Sequence, residues 1–129
     1  MTDEQLELLR QVARFDAIFR DPDFRPNVSY GEFASLAPEV DEFFELIYRG
    51  SNLEVSGAAD YHEWLASDRG QRLLSHDPAA LDDASFSDVM FAWVVLHRAG
   101  HWAWEEEYVE SFETGVFLAL TGRAIDLLR

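Results

Sequence analysis

The sequence predicts an all-α fold: a single compact domain over residues 1–129, with five or six helices around a central apolar helix at about 86–99. Three observations carry this expectation. Apolar residues recur at helical spacing in most segments. Helix-start and helix-stop residues bracket those segments. Between Ser85 and Gly122 lie two apolar runs, Val89–Leu96 and Val116–Leu120, which any fold must bury. The competing expectation is α+β with those two runs as strands, because periodicity alone does not separate a buried strand from a buried helix.

Thr2 and Gln5 make a capping box, and Asp3 and Glu4 suit the positive end of a helix. Leu8, Leu9, Val12, Phe15, Ile18 and Phe19 follow at helical spacing until Arg20 and Asp21-Pro22, so the first helix is expected at about 3–20. Residues 21–37 carry turn signals at Asp21-Pro22, Arg25-Pro26-Asn27 and Tyr30-Gly31, yet are too apolar for a free linker. A packed loop is expected there, with one helical turn near Gly31 to Ser35. Pro38 opens a second helix, with Val40, Phe43, Phe44, Ile47 and Tyr48 as its stripe and Arg49 and Gly50 at its end.

Ser51 to Gly57 reads as a connector. Asp60 with Glu63 is expected to cap a third helix that turns Tyr61, Trp64, Leu65, Leu73 and Leu74 inward, with a break at Gly70. Ser85 with Asp88 caps the central helix, which Arg98 and Gly100 are expected to end. A fifth helix is expected from about Ala103 to Thr114, with Trp104, Tyr108 and Phe112 inward, Glu106, Glu110 and Glu113 outward, and Gly115 as its C′ residue. A sixth takes Val116 to Leu128. Phe44, Ile47, Trp93, Trp104, Phe112 and Leu120 are the expected core.

A chain that is 48% apolar and 14% aromatic is globular rather than disordered. It has no Cys, which removes disulfides and thiolate metal sites. The acidic start Met1-Thr2-Asp3-Glu4 is not that of a signal peptide, and eight consecutive apolar residues fall short of the ~20 that span a bilayer. A cytoplasmic protein without a membrane segment is therefore expected. The net charge is −15, and every basic residue is Arg. Such a charge opposes nucleic-acid binding, where phosphate neutralisation supplies most of the affinity. It suits solubility, salt adaptation or a basic protein partner reached by electrostatic steering. Without Lys, P-loop and Schiff-base chemistry are excluded.

Arg98-Ala99-Gly100-His101-Trp102, then Phe112-Glu113-Thr114-Gly115, then Arg123 resemble the second half of a family of small bacterial proteins known as a domain of unknown function. That pattern has an apolar helix ending in Arg-x-x-Arg-Phe, an acidic helix ending near Phe/Glu-x-Gly, and a short last helix. Leu46-Ile47-Tyr48 before Gly50 and Trp64 are also similar, so the likeness covers roughly residues 40–129. The chain departs from the pattern at His101, Trp102 and Trp104-Glu105. The resemblance implies a helical fold and no particular activity.

His97, His101 and Glu105 are spaced four apart, and His/His/Glu is a zinc-type ligand set if one helix carries all three. Gly100 falls between the histidines, where the helix is expected to end, and Arg98 breaks the His-Glu-x-x-His pattern. No metal and no cofactor are expected. His62-Glu63 and His76-Asp77 are adjacent pairs in which a carboxylate can orient a general base, but no activated nucleophile accompanies them. The expected function is a small acidic interaction or regulatory protein that binds a basic protein partner, as immunity proteins and DNA-mimic inhibitors do. Arg98, His101, Trp102, Glu106, Glu110 and Glu113 are the expected partner-facing residues, with Glu42 and Glu45 on a rival face. The competing function is a small enzyme or metal protein that uses His97, His101 and nearby Glu.

Overall fold

The computed structural model describes the backbone of residues 2–30, 33–50, 58–102 and 106–129, and their side chains apart from 27–30, 33–36, 48, 50, 58–61, 97–102 and 106–109. The fold is all-α. Seven α-helices are described: α1 (Asp3–Phe19), α2 (Pro38–Gly50), α3 (Ala58–Ala66), α4 (Asp68–Leu74), α5 (Phe86–Trp102), α6 (Glu106–Glu113) and α7 (Val116–Leu127). A 3-10 turn, Pro78–Leu81, lies between α4 and α5. One short hairpin, β1 (Asn27–Tyr30) with β2 (Phe33–Leu36), joins α1 to α2.

The α1 start follows from its cap. Thr2 Oγ1 accepts from the Gln5 backbone N–H at 3.1 Å, and Gln5 Oε1 accepts from the Thr2 N–H at 2.9 Å. The buried face of α1 is Leu8, Leu9, Val12 and Phe19, with Gln5 and Asp16. Ile18, counted in the helical repeat, is 42% exposed, because 3.6 residues per turn place it on the side of α1 away from that face. At the far end the ring of Phe19 meets Phe43, Phe112 and Phe117 at centroid distances of 5.3–5.4 Å, mostly edge to face.

Residues 21–37 correct the expectation of a packed loop with a helical turn. They form an antiparallel pair in the register Asn27↔Leu36, Val28↔Ser35, Ser29↔Ala34 and Tyr30↔Phe33. The Ala37 N–H extends the pairing to the Pro26 carbonyl at 2.9 Å. Gly31 and Glu32, between the innermost pair in sequence, lie outside the described residues.

The third expected helix is two helices. The break falls at Ser67, whose Oγ accepts from the Gly70 N–H at 3.2 Å and caps α4. Gly70 therefore sits in the first turn of α4 rather than at the break. A Cβ built there would lie 2.4 Å from the Trp64 carbonyl oxygen and 2.6 Å from that of Leu65, so the corner requires glycine. The start of α3 at Ala58 also precedes the cap expected at Asp60.

Both apolar runs are helical, which removes the α+β alternative. Ser85 and Asp88 cap α5 reciprocally, each backbone N–H bonding the other's side chain at 3.1 Å. Val89, Met90, Ala92 and Trp93 are fully enclosed, and Phe91, Val94, Val95 and Leu96 are buried with them, so α5 is apolar on all sides. It packs against α2, α3, α6 and α7 as the central helix. It does not end at Arg98–Gly100 but continues to Trp102. Gly115, at φ +85°, ends α6 and precedes α7 in the left-handed conformation that glycine tolerates.

One buried cluster runs from Leu8 to Ala124 and draws, among the described residues, on all these helices but α6, whose Phe112 packs against it. Phe44, Ile47, Trp93 and Leu120 are in it, as expected; Phe112 is half-buried against it, and Trp104 lies outside the described residues. Trp93 Nε1 is buried with no hydrogen-bond partner among the described residues, its ring set edge to face on Phe43 at 5.5 Å. Among the described residues no helix is long and apolar enough to cross a membrane.

Candidate functional site

The expected partner-facing and metal residues belong to the end of α5, to α6 and to the stretch of chain between them. His97, Arg98, His101 and Trp102 all lie on the backbone of α5, and their side chains fall outside the described residues. Glu105 lies outside them altogether, and Glu106 is described only in its backbone at the start of α6. Because α5 continues through Gly100, His97 and His101 stand four residues apart on one unbroken helix, contrary to the expected break. Among the described residues no group of three or more His, Asp or Glu side chains has the geometry to hold a metal ion.

Glu110 and Glu113 are exposed on α6, as expected. Glu110 has a described neighbour that the sequence did not indicate: its carboxylate lies 4.0 Å from His76 Nε2, whose other ring nitrogen is 3.3 Å from Thr114 Oγ1. His76 holds the left-handed C′ position of α4 at φ 57°, where a non-glycine residue is uncommon. The closing bonds run from His76 N to Leu73 O at 2.9 Å and from Asp77 N to Arg72 O at 3.1 Å. The His76 ring thus has the Glu110 carboxylate beside it, while the expected partner Asp77 pairs with Arg72 at 2.9 Å and caps the 3-10 turn. His62 is exposed on α3.

A second polar constellation pins α3 and α4 to the start of α5. Asp88 accepts from Trp64 Nε1 at 3.0 Å and from Arg69 Nη1 at 2.5 Å. The same guanidinium reaches the Asp83 carboxylate and, through Nε at 2.8 Å, the Ala80 carbonyl. Burial works against ionisation of Asp88, but the Trp64 and Ser85 hydrogen bonds and the Arg69 charge outweigh it and hold the carboxyl below its ordinary value. This is a structural joint, since every group in it is engaged by the fold itself.

Two open grooves lie among the described residues. The smaller, about 300 Å³, lies between α7 and the 3-10 turn and mixes Arg20 and Arg123 with Asp82 and Asp126. The larger, about 510 Å³, lies between the start of α1 and the end of α2, lined by Asp3, Glu4, Glu7, Leu8, Gln11, Leu46 and Arg49. Its walls are mainly carbon, with the carboxylates on the α1 rim. Sequence reading missed it because its acids each have a local explanation as first-turn residues of α1. The available signal was Leu46, an apolar residue beside the α2 stripe and half-buried in the fold.

Searches of protein-family models, curated proteins and solved structures return no match. Function therefore rests on the geometry alone.

Proposed function

We propose that this protein is a small acidic binding protein whose exposed carboxylates receive a basic protein partner. The observation that carries this reading is how the fold uses its cations. Arg10 pairs with Glu7, Arg20 with Asp16, Arg69 with Asp83 and Asp88, Arg72 with Asp77, and Arg129 with Asp126. Arg25 and Arg123 are hydrogen-bonded to backbone carbonyls. Ion pairs among the described residues thus engage five of the ten Arg, and the excess of −15 is left as carboxylates, many of them on exposed helix faces. Such a surface accelerates and selects encounter with a cationic protein. A partner captured at low salt should associate more slowly as ionic strength rises. A partner whose association rate is the same at low and high salt would contradict the reading.

A metal-binding function has one observation in its favour, the continuity of α5 through His97 and His101. Zinc at 100 times its dissociation constant would stabilise the fold by about 2.7 kcal/mol. Thermal melts with and without zinc test this, with the His97→Ala variant as control. We expect no shift, and a shift lost in the variant would favour the metal reading.

A further inference from the structure

We propose that the groove between the start of α1 and the end of α2 receives a basic, amphipathic helical segment of a protein partner. This rests on the acidic-binder reading above and adds where the partner sits and what it presents.

The two helices run antiparallel. The rings of Phe15 and Phe19, late in α1, meet Phe43, early in α2, at 5.5 and 5.4 Å, while Leu8 and Leu46 line the groove at the other ends. Antiparallel neighbours leave a straight channel whose walls repeat once per turn: Glu4, Leu8 and Gln11 on one side, Leu46 and Arg49 on the other. A helix laid along it presents its own side chains at the same interval, i, i+3, i+4 and i+7. The floor is apolar, with Leu46 half-buried and available for contact and Leu8 closing the base.

The rim decides the sign of the occupant. Asp3, Glu4 and Glu7 are exposed, and among the described residues Arg49 is the only cation lining the groove. Glu7 meets Arg10 at 3.4 Å, but both side chains are more than half exposed, so that pair is weak and easily exchanged. Three carboxylates above a carbon floor complement an apolar side chain flanked by Lys or Arg. Opposite Arg49 the segment carries a neutral or acidic residue. A groove of about 510 Å³ holds a few side chains of one segment, which suits a helix face better than a domain surface.

The test uses the full chain and a fluorescent amphipathic peptide with leucines at helical spacing and lysines on both flanks, followed by anisotropy. Reversing Glu4 and Glu7 to Lys should weaken binding about tenfold at low salt and flatten its salt dependence. Leu46→Ser should weaken it about threefold while leaving the salt dependence intact. Reversing Glu110 and Glu113 on α6 should change affinity by less than about twofold. A measurement without variants is the shift of the Leu8 and Leu46 methyl resonances on adding peptide. The absence of such shifts overturns the site, as does equal weakening by the α1 and α6 reversals. Loss of binding only in the α6 variant removes the groove but leaves the acidic-binder reading in place. Binding indifferent to salt and to both reversals removes both. A dimer in solution that dissociates in Leu46→Ser would assign the groove to a second copy of the chain and overturn the proposal.

Discussion

Asp88 accepts hydrogen bonds from its own helix cap, from the Trp64 indole and from Arg69, so one carboxylate joins three segments. Its pKa is lowered in the fold, with the opposing effect of burial outweighed by these donors. The stability it contributes is therefore complete above the ordinary value of 3.8 and is lost as pH falls through the lower folded value. Asp88→Asn should be less stable than the parent at neutral pH by about 1–3 kcal/mol. The gap should narrow in urea melts taken at progressively lower pH in that acid range. A gap that stayed constant would show that the Asp88 charge is not what the joint uses. Gly70 gives a contrast at the same scale. Helix propensity alone assigns Gly→Ala a gain of roughly 1 kcal/mol. The built Cβ lies 2.4 Å from a backbone carbonyl, so the backbone must shift, and Gly70→Ala should instead lower the urea midpoint. A raised midpoint would mean that the α3–α4 corner yields freely.

Between elements, the tie from α1 to α7 is polar and buried. Thr121 Oγ1 donates to Asp16 Oδ1 at 2.6 Å, Arg20 Nε donates to both Asp16 oxygens at 2.9 Å, and Arg20 Nη2 continues to the Leu118 carbonyl at 2.9 Å. Gly122 leaves room for that guanidinium, since a Cβ there would lie 3.1 Å from it. Thr121→Val keeps the shape and removes one donor from a buried carboxylate, which should cost about 1–3 kcal/mol in urea denaturation. An unchanged midpoint would show that Arg20 alone satisfies Asp16. The hairpin is the element least legible beforehand. Its strands have four residues each, too short for a period to declare itself, and Pro26 and Gly31 read first as loop signals. The end of α5 was hidden for a related reason: Gly100 has the residue type of a helix end, yet the helix passes through it.

For the whole molecule, charge is the feature that the core does not balance. A net charge of −15 makes the compact state repel itself, and mobile ions screen that repulsion over about 10 Å at 0.1 M salt. Its surface ion pairs, such as Arg10–Glu7 and Arg129–Asp126, are exposed and weak, so salt removes little from them. The melting temperature should therefore rise as sodium chloride is added from low ionic strength. A fall would mean that the internal pairs around Arg69 and Arg20 outweigh the general repulsion.

By itself the sequence determined the helices whose caps and stripes are local: α1 with its Thr2–Gln5 box, α2 from Pro38, α5 from the Ser85–Asp88 box, and Gly115 between α6 and α7. A cap bonds residues three apart and a stripe repeats every turn, so both can be read along the chain. It also determined that α5 is central, because a helix apolar on all sides must be covered. Tertiary structure decided the pairing of the hairpin, the break at Ser67 rather than Gly70, the meeting of His76 with Glu110, and the α1–α2 groove. The last two depend on what a distant segment brings alongside, a ring or a neighbouring helix face; the hairpin and the Ser67 break are short-range, but strands of four residues and a single Ser carry too little pattern to be read along the chain. Three carboxylates that serve the α1 dipole become the rim of a groove only once Leu46 and Arg49 lie beside them.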